Sequence, residues 1–503
     1  MKRLIIVPFV MLWTVLPALA DGPLWGDLNG DGVVTAVDIS MAVNDIVEGQ
    51  YWVEHDLNED GEVNASDLST IINIAAGYDH EQRVTAFQPS GTLPVLHIDT
   101  EGYVAVTSKD EYVRGTYWLD PCDLPDVQAL GSEAKPLALQ IKGRGNWSWT
   151  QKKKPYRLKL DKKAAVLGMN SNKHWTLLAH VSAPLKNTMG FELGRMLGMP
   201  YVPAERPVEV VMNGRYVGIY WITEKIRIDK DRVNIVEQDD EETDPAMITG
   251  GWLLEIANKI EENQIEIPSP GQKLPMRVTV ERPEVMSAEQ LGYITDRLWQ
   301  MHNAIYKSKS PNEMWRIIDL ESFARFYMVQ EILCNVEAFS GSCYFYKDRG
   351  EDARFMFGPL WDMESAFYTG AEGTTSLIHE KYPSIFASHL IGKCYQSPHL
   401  RKTMTLMWRK FYPEQAEAFM EFVGTMADPV RKAMECDKLR WPEYNGNSVD
   451  VSVKYYKRWL RAKLDYLDLR WQRMVSHPDP NPLPDDGQAD GSLIDVPVRP
   501  VAR

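Results

Sequence analysis

Two short acidic stretches near the amino terminus decide the fold of the first part of the chain: DLNGDGVVTAVDIS, residues 27–40, and DLNEDGEVNASDLS, residues 56–69. Oxygen-bearing side chains recur at alternate positions of each stretch, with a glycine at the sixth position. Calcium takes six to eight oxygen ligands from alternate positions of such a tight loop. An apolar helical pattern follows each loop. The duplication therefore predicts two calcium-binding loop–helix units rather than a pair of metal-free Asx turns.

The predicted ligands occupy positions 1, 3, 5, 7 and 12 of each loop. In the first loop they are Asp27, Asn29, Asp31, the Val33 carbonyl and Asp38. In the second loop they are Asp56, Asn58, Asp60, the Glu62 carbonyl and Asp67. Both loops close with Asp, whereas two-helix calcium sensors normally close with a bidentate Glu.

The duplicated loops, the closing Asp and the single helix after each loop resemble a type I dockerin, over residues 21–79. The resemblance implies a helical module that binds two calcium ions and docks on a cohesin. Calcium would supply folding energy, because so short a module buries little apolar surface by itself. A calcium-stabilised spacer without a cohesin partner is the alternative.

The first 20 residues, MKRLIIVPFVMLWTVLPALA, have a basic start, an apolar run and a small-residue end. These features predict a secretory signal peptide. No later apolar run reaches the roughly 18 residues that a membrane-spanning helix needs. We therefore expect a secreted protein, extracellular or at the cell surface. The net charge of −15 argues against nucleic acid as the main partner, and the five scattered cysteines predict no disulfide scaffold.

The remaining chain divides by its pattern into three parts. Short apolar runs broken by Gly, Pro and Asp predict a small β segment over residues 80–135. Residues 136–475 mix strand and helix patterns and predict a large α+β domain, with a β-hairpin turning at Asn213-Gly214. Residues 476–503 are rich in Pro and Asp, and we expect them to be disordered.

Two charged clusters in the large domain are candidates for chemistry. The stretch IKGRGNWSWTQKKKPYRLKL, residues 141–160, concentrates Lys and Arg in an acidic protein, and predicts either a phosphate-facing patch or a solvated hairpin face. Glu337 follows a predicted helix, and Asp362 and Glu364 follow a predicted strand. Phosphotransferases use one carboxylate to orient the attacking hydroxyl and another to hold magnesium.

Several motifs in order resemble the spore-coat protein H (CotH) kinase family, from about Leu93 to Gln472. They are RGNWSW…KKPYRLKL, HWTLLAH…LKNTMGFELGRMLG, PVEVVMNGRYVGIYWITEKI and GPLWDMESAF. The resemblance implies a divergent protein-kinase-like fold. It also implies transfer of phosphate from ATP to protein hydroxyls with a divalent metal such as Mg²⁺. Exported members with a dockerin are familiar in polysaccharide-degrading complexes.

The resemblance also implies roles for individual residues. Asp362 matches the family's metal-binding carboxylate, Glu364 stands where a second Asp is usual, and Glu337 stands at the catalytic Asp position. The nucleotide-phosphate lysine is expected in the KKPY strand. The candidates there are Lys154, then Lys159, with Arg144 nearby and Glu224 as an ion-pair partner.

Other positions depart from the family pattern. Lys186-Asn187 occupies the family's RN site, Ser342 replaces a metal-binding Asn, and Ala257 replaces an acidic residue. The Glu side chain at position 337 displaces its carboxylate by one methylene, and a misplacement of about 1 Å can cost roughly 100-fold in rate. Two hypotheses are therefore kept: an active atypical protein kinase, and a non-catalytic (pseudokinase) structural or adhesion component.

A glycoside hydrolase is a third class, because such enzymes place two carboxylates in an aromatic-lined cleft. The 16 Trp would suit that cleft, but no carboxylate pair matches a glycosidase motif. A serine hydrolase lacks support because the chain has no GxSxG motif.

Overall fold

The structure is a computed structural model that describes residues 24–78, 87–181, 185–260, 262–270, 275–367, 389–444 and 448–472. The predicted signal peptide (1–20) and the predicted disordered tail (476–503) lie outside these residues. Helices and strands are mixed along the described chain, which confirms the α+β class. Within the described ranges, no helix combines the length and the apolar character that a bilayer crossing requires.

The amino-terminal module contains two helices, α1 (Ala36–Glu48) and α2 (Ala65–Ala75). Each helix starts with a capping box. The N-caps are Thr35 and Asn64, and the closing Asp38 and Asp67 accept hydrogen bonds from the N-cap amides. The buried core between the helices consists of Leu28, Ala42, Leu57 and Ile71. So small a core leaves much of the folding energy to other sources.

A closed seven-stranded barrel follows, with the strand order β1-β2-β3-β4-β5-β7-β6. Its strands are β1 (Val95–Thr100), β2 (Val113–Asp120), β3 (Leu137–Gly143), β4 (Tyr156–Ala164), β5 (Asn172–Leu178), β6 (Glu205–Met212) and β7 (Arg215–Glu224). Neighbouring strands are antiparallel except β1 and β6, which run parallel and close the barrel. On β4, Tyr156, Leu158 and Leu160 fill the interior, whereas Arg157 and Lys159 point outward, as the two-residue period of a strand requires.

The boundary predicted at residue 135 divides this single sheet. The predicted small β segment supplies β1 and β2, and these strands pair with β6 and β3. The pairing of β1 with β6 joins residues more than 100 positions apart, so local sequence patterns do not reveal it. The predicted hairpin is confirmed: Asn213 and Gly214 have φ of 51° and 76° and connect β6 to β7.

The rest of the large domain packs helices against a second sheet, with the strand order β12-β11-β8-β10-β9. Its strands are β8 (Trp252–Ala257), β9 (Gln264–Ile267), β10 (Met276–Arg282), β11 (Cys343–Lys347) and β12 (Met356–Phe357). The helices are α3 (Lys186–Met196), α4 (Ala288–Tyr306), α5 (Leu320–Leu333), α6 (His389–Tyr395), α7 (Pro398–Phe411), α8 (Glu414–Thr425), α9 (Arg431–Arg440) and α10 (Val449–Trp471). Helix α5 is central: every residue from Phe326 to Leu333 is buried, and it contacts α3, α7 and α10.

Candidate functional site

Asp362 lies in the loop after β12, and two buried asparagines fix the backbone around it. The Asn335 side chain donates to the Asp362 carbonyl at 3.1 Å, and the Met363 amide donates to the Asn187 side chain at 2.7 Å. Asp362 has a φ of 58°, a left-handed conformation that Asp adopts more readily than most residues. Its carboxylate is exposed to solvent. The loop therefore presents a carboxylate outward on a fixed backbone.

Charged groups of both signs surround Asp362. Restricted hydration by the surrounding protein raises the pKa of Asp362 to about 6; Glu364 and Glu337 act in the same direction, whereas the Glu364 amide and Arg144 oppose it. The structure thus brings together the three carboxylates that the sequence predicts, with Arg144 beside them. Because the Asp362 carboxylate is accessible and its charge is only partly compensated, the site suits a bound cation.

Lys186, at the start of α3, holds the same loop. Its ammonium donates to the carbonyls of Glu364 and Ala366 at 2.8 and 2.7 Å. Burial lowers the pKa of Lys186 to about 8, while Glu364 and Asp362 counteract that shift. The Arg144 guanidinium lies over the Trp361 ring at 5.7 Å. Two cations from distant parts of the chain therefore flank the Asp362 loop.

A second group of cations adjoins Arg144. Arg157 on β4 stands opposite Lys142 on β3. Burial and then Arg157 lower the pKa of Arg144, and burial followed by Arg157 and Arg282 lowers the pKa of Lys225 to about 7. The Arg157 Nε atom is buried and lacks a hydrogen-bond partner among the described residues. These like charges make the cluster a candidate site for an anion such as a phosphate chain.

The predicted lysines take other positions. Lys154 donates to the Trp149 carbonyl at 3.0 Å, and its ammonium lies 4.9 Å from the ring of Trp52 in the amino-terminal module. Burial lowers the pKa of Lys154 to about 8. Lys159 is exposed on the outer barrel face, 6.0 Å from the Tyr112 ring. The described contacts do not join Lys154 to Asp362.

Glu224 is also engaged elsewhere. Its carboxylate accepts from the Tyr201 hydroxyl and the Ala204 amide, both at 3.1 Å. Burial raises the pKa of Glu224. Glu224 therefore contributes to the barrel wall, and its described hydrogen bonds do not include Lys154.

His180 is a further member of the site that was not predicted from the sequence. Its Nδ1 atom lies 3.5 Å from the Glu364 carboxylate, and its ring packs edge-on against Trp221 at 5.1 Å. His180 has a φ of 44° and is 8 % exposed. His180 closes the HWTLLAH motif, but residue spacing does not connect it to Glu364, which lies 184 residues further along the chain.

The carboxylates near Asp362 can be compared with the ligands that magnesium uses. Across the described ranges, no three His, Cys, Asp or Glu side chains converge as a ready-made metal site. Magnesium, however, is often held by one or two carboxylates together with waters and substrate phosphates. Asp362, with Glu364 two residues further on, supplies that kind of partial site.

The first calcium loop is folded around its own carboxylates. Asp27 accepts hydrogen bonds from the amides of Gly30, Asp31 and Gly32, at 2.9, 3.2 and 2.8 Å. Asp38 accepts from the Leu28 amide at 2.8 Å. Burial raises the pKa of Asp27, and Asp38 adds to the rise. A bound cation would relieve this repulsion.

The second loop repeats this arrangement at equivalent positions. Asp56 accepts from the amides of Asp60 and Gly61 at 3.1 and 3.0 Å, and Asp67 accepts from the Leu57 amide at 2.8 Å. Burial raises the pKa of Asp56, and Asp67 contributes in the same direction. Carboxylates, Asn side chains and loop carbonyls are the types of oxygen donor that calcium prefers.

Comparison with known families gives two matches. Residues 141–467 match the family model described as CotH kinase protein, and residues 25–74 match the Dockerin type I domain. A comparison with curated proteins finds no match. Dockerin domains bind calcium and cohesins. Because the first match spans more than half of the chain, the chain belongs to the CotH kinase protein family and carries an amino-terminal type I dockerin domain.

Proposed function

We propose that this protein is a secreted phosphotransferase that moves phosphate from ATP to a protein hydroxyl, while its dockerin anchors it to an extracellular polysaccharide-degrading complex. The observation that carries the proposal is the exposed Asp362 carboxylate. It projects from a loop held by Asn187 and Asn335 and has the Arg144 and Lys186 cations beside it, within a CotH family domain.

Each residue of the site has a distinct role in this proposal. Asp362 and Glu364 hold Mg²⁺, which when bound neutralises the negative charge of the nucleotide phosphates. Arg144, Arg157 and Lys225 bind the phosphate oxygens. Lys186 keeps the Asp362 loop in place through its two carbonyl contacts.

Glu337 orients the acceptor hydroxyl and accepts its proton. Its side chain is exposed in the turn after α5. The Ser340 and Gly341 amides donate to the Glu337 carbonyl at 2.9 and 3.1 Å, which fixes the turn. A carboxylate on a fixed turn near Asp362 fits the role of the catalytic carboxylate in phosphoryl transfer.

The lysine that the sequence predicts as the contact to the nucleotide phosphates does not have that role in this proposal. Lys154 lies between Trp149 and Trp52, so Arg144, Arg157 and Lys225 take over the phosphate contacts. Lys159 remains on the outer barrel face, and Glu224 remains a structural residue of the barrel wall.

The anchoring half of the proposal rests on the dockerin module. Its two loops hold one Ca²⁺ each, and α1 presents apolar side chains to solvent: Val37 is 53 % exposed and Val47 is 79 % exposed. An exposed apolar helix face is a typical protein-binding surface. A cohesin therefore docks on α1.

The test incubates the full chain with labelled ATP, Mg²⁺ or Mn²⁺, and dephosphorylated casein as acceptor. Incorporated label, ATP hydrolysis and nucleotide affinity are measured together. We expect Asp362→Asn to lower transfer at least about 100-fold, because the nucleotide metal loses its main carboxylate. Asp352→Asn is the matched control, since Asp352 is exposed in the turn between β11 and β12.

The same assay decides between the two functions. Nucleotide binding without transfer or hydrolysis, unchanged in Glu337→Asp, would establish the non-catalytic alternative. Absence of nucleotide binding in the native chain would exclude both the enzyme and the nucleotide-binding component.

A further inference from the structure

The segment that joins the two dockerin repeats is part of the barrel core. Tyr51 and Val53 are each 7 % exposed and pack in the same hydrophobic cluster as Val217 and Trp441. The Tyr51 and Trp441 rings meet edge-on at 6.1 Å. The dockerin module therefore packs directly against the large domain.

Arg215, the first residue of β7, contacts both the joining segment and the second calcium loop. Its guanidinium donates to the carbonyl of Val53 at 2.6 Å and to the carbonyl of Asp56, the first residue of that loop. It also lies 4.2 Å over the Trp25 ring. Arg215 is only 5 % exposed. Carbonyls of the dockerin module thus accept hydrogen bonds from a buried cation of the barrel.

A second contact reaches the Asp56 side chain itself. Arg440, at the end of α9, donates to the Tyr51 hydroxyl at 2.8 Å, and that hydroxyl donates to the Asp56 carboxylate at 2.8 Å. The Arg440 guanidinium lies 3.9 Å from the same carboxylate, and both side chains are buried. The large domain therefore orients a predicted calcium ligand.

A third contact comes from Lys152, whose ammonium donates to the carbonyl of Gly61 at the sixth position of the second loop. The loops differ at their first position, where Asp56 is fully buried and Asp27 is half-buried, whereas the fifth and seventh positions are exposed in both loops. The two loops match in sequence and differ in their environment.

We propose that the second calcium loop is a latch between the dockerin module and the barrel, so that calcium binding there stabilises the CotH domain as well as the module. Arg215 and Lys152 bind carbonyls at positions 1 and 6, and both carbonyls are correctly placed only when the loop is closed. Without a cation the loop carboxylates repel one another and favour opening. By linkage, an ion that binds only the closed loop stabilises every contact that the closed loop makes. This inference does not depend on phosphate transfer.

Hydrogen exchange on the full chain, with and without calcium, tests the latch. We expect calcium to slow exchange in the second loop and also in peptides of β7 and the end of α9, there by at least about fivefold. In Arg215→Met the loop still responds to calcium, but β7 and α9 lose the response. Arg206→Met, an exposed position on the adjacent strand β6, should behave like the native chain.

Lys152→Met provides an independent variant should Arg215→Met fail to fold, because Lys152 is only half-buried. It should reduce the calcium response of β7 and α9 by at least about half. Calcium-independent exchange of β7 and α9 in the native chain would overturn the latch. An undiminished response of these peptides in Lys152→Met, or in a folded Arg215→Met, would overturn it as well.

Discussion

The calcium loops and the Asp362 site both gather carboxylates, but they are assembled in different ways. All predicted side-chain ligands of each loop lie within 12 consecutive residues, such as Asp27 to Asp38. The charged groups around Asp362 come from the end of β3, the start of α3, the turn after α5 and the loop after β12. A local site can be deduced from spacing, whereas a dispersed site depends on how the chain folds.

The two regions also differ in whether their carboxylates hold the loop backbone in place. Asp27 and Asp56 accept hydrogen bonds from the amides of their own loops, so the carboxylate is part of the loop's framework. Asp362 is held from outside by Asn187 and Asn335, and its carboxylate faces solvent. Removal of a carboxylate should therefore unfold the first kind of site and leave the second kind folded.

The substitution with the largest expected effect, Asp38→Ala, tests that difference directly. Asp38 is fully buried and accepts hydrogen bonds from the Leu28, Asn29 and Thr35 amides. We expect Asp38→Ala to weaken calcium binding to the first loop at least about 100-fold, because folding and metal binding are coupled there. Isothermal titration with calcium measures the lost affinity, and hydrogen exchange of residues 24–78 measures the accompanying opening of the module.

The corresponding substitution in the Asp362 site is Asp362→Asn. Asn tolerates the left-handed backbone at position 362, so the Tm of the large domain should shift by no more than about 2 °C. Glu48→Ala, on the exposed end of α1, controls for the loss of an acidic side chain from the module. Equal unfolding in Asp38→Ala and Asp362→Asn would contradict the distinction between the two regions.

The locally encoded features were predictable from the sequence. The hairpin at Asn213-Gly214 follows from a short-range pattern, and the structure confirms it. The position of Lys154 was not foreseen, although strand periodicity contains a signal. Lys154 lies an even number of residues from Tyr156, Leu158 and Leu160, which line the barrel interior. The two-residue period of a strand therefore places Lys154 on their side and Arg157 on the opposite side.

The remaining contacts of the Asp362 site could not be predicted in this way. Lys186 reaches carbonyls 178 and 180 residues further along the chain. The barrel closure between β1 and β6 is equally remote in sequence. Such contacts follow from the packing of whole elements, which residue spacing alone does not specify.

A smaller effect should follow from weakening the external support of the Asp362 loop. Lys186→Met removes the donor to the Glu364 and Ala366 carbonyls and leaves them without that partner. We expect nucleotide affinity to fall about tenfold, because a displaced loop misplaces the Asp362 carboxylate. Lys186→Arg retains a cation and should lose less than half as much binding free energy. Fluorescent-nucleotide titration of the folded variants measures the change, and native affinity in Lys186→Met would show that the loop is held by the asparagines alone.

The smallest expected effect is the pH dependence of metal binding at Asp362. Its pKa is raised to about 6, so the carboxylate is mostly ionised at pH 7.5 and half protonated near pH 6. The protonated form does not bind a cation, and Mn²⁺ affinity should therefore fall about twofold between these pH values. Asp362→Asn should bind weakly and without this dependence. His180→Gln should retain it, because the titrating group is Asp362. A native affinity that stays constant from pH 5 to pH 7.5 would mean that the metal does not bind through Asp362, whereas the calcium loops would keep their own binding.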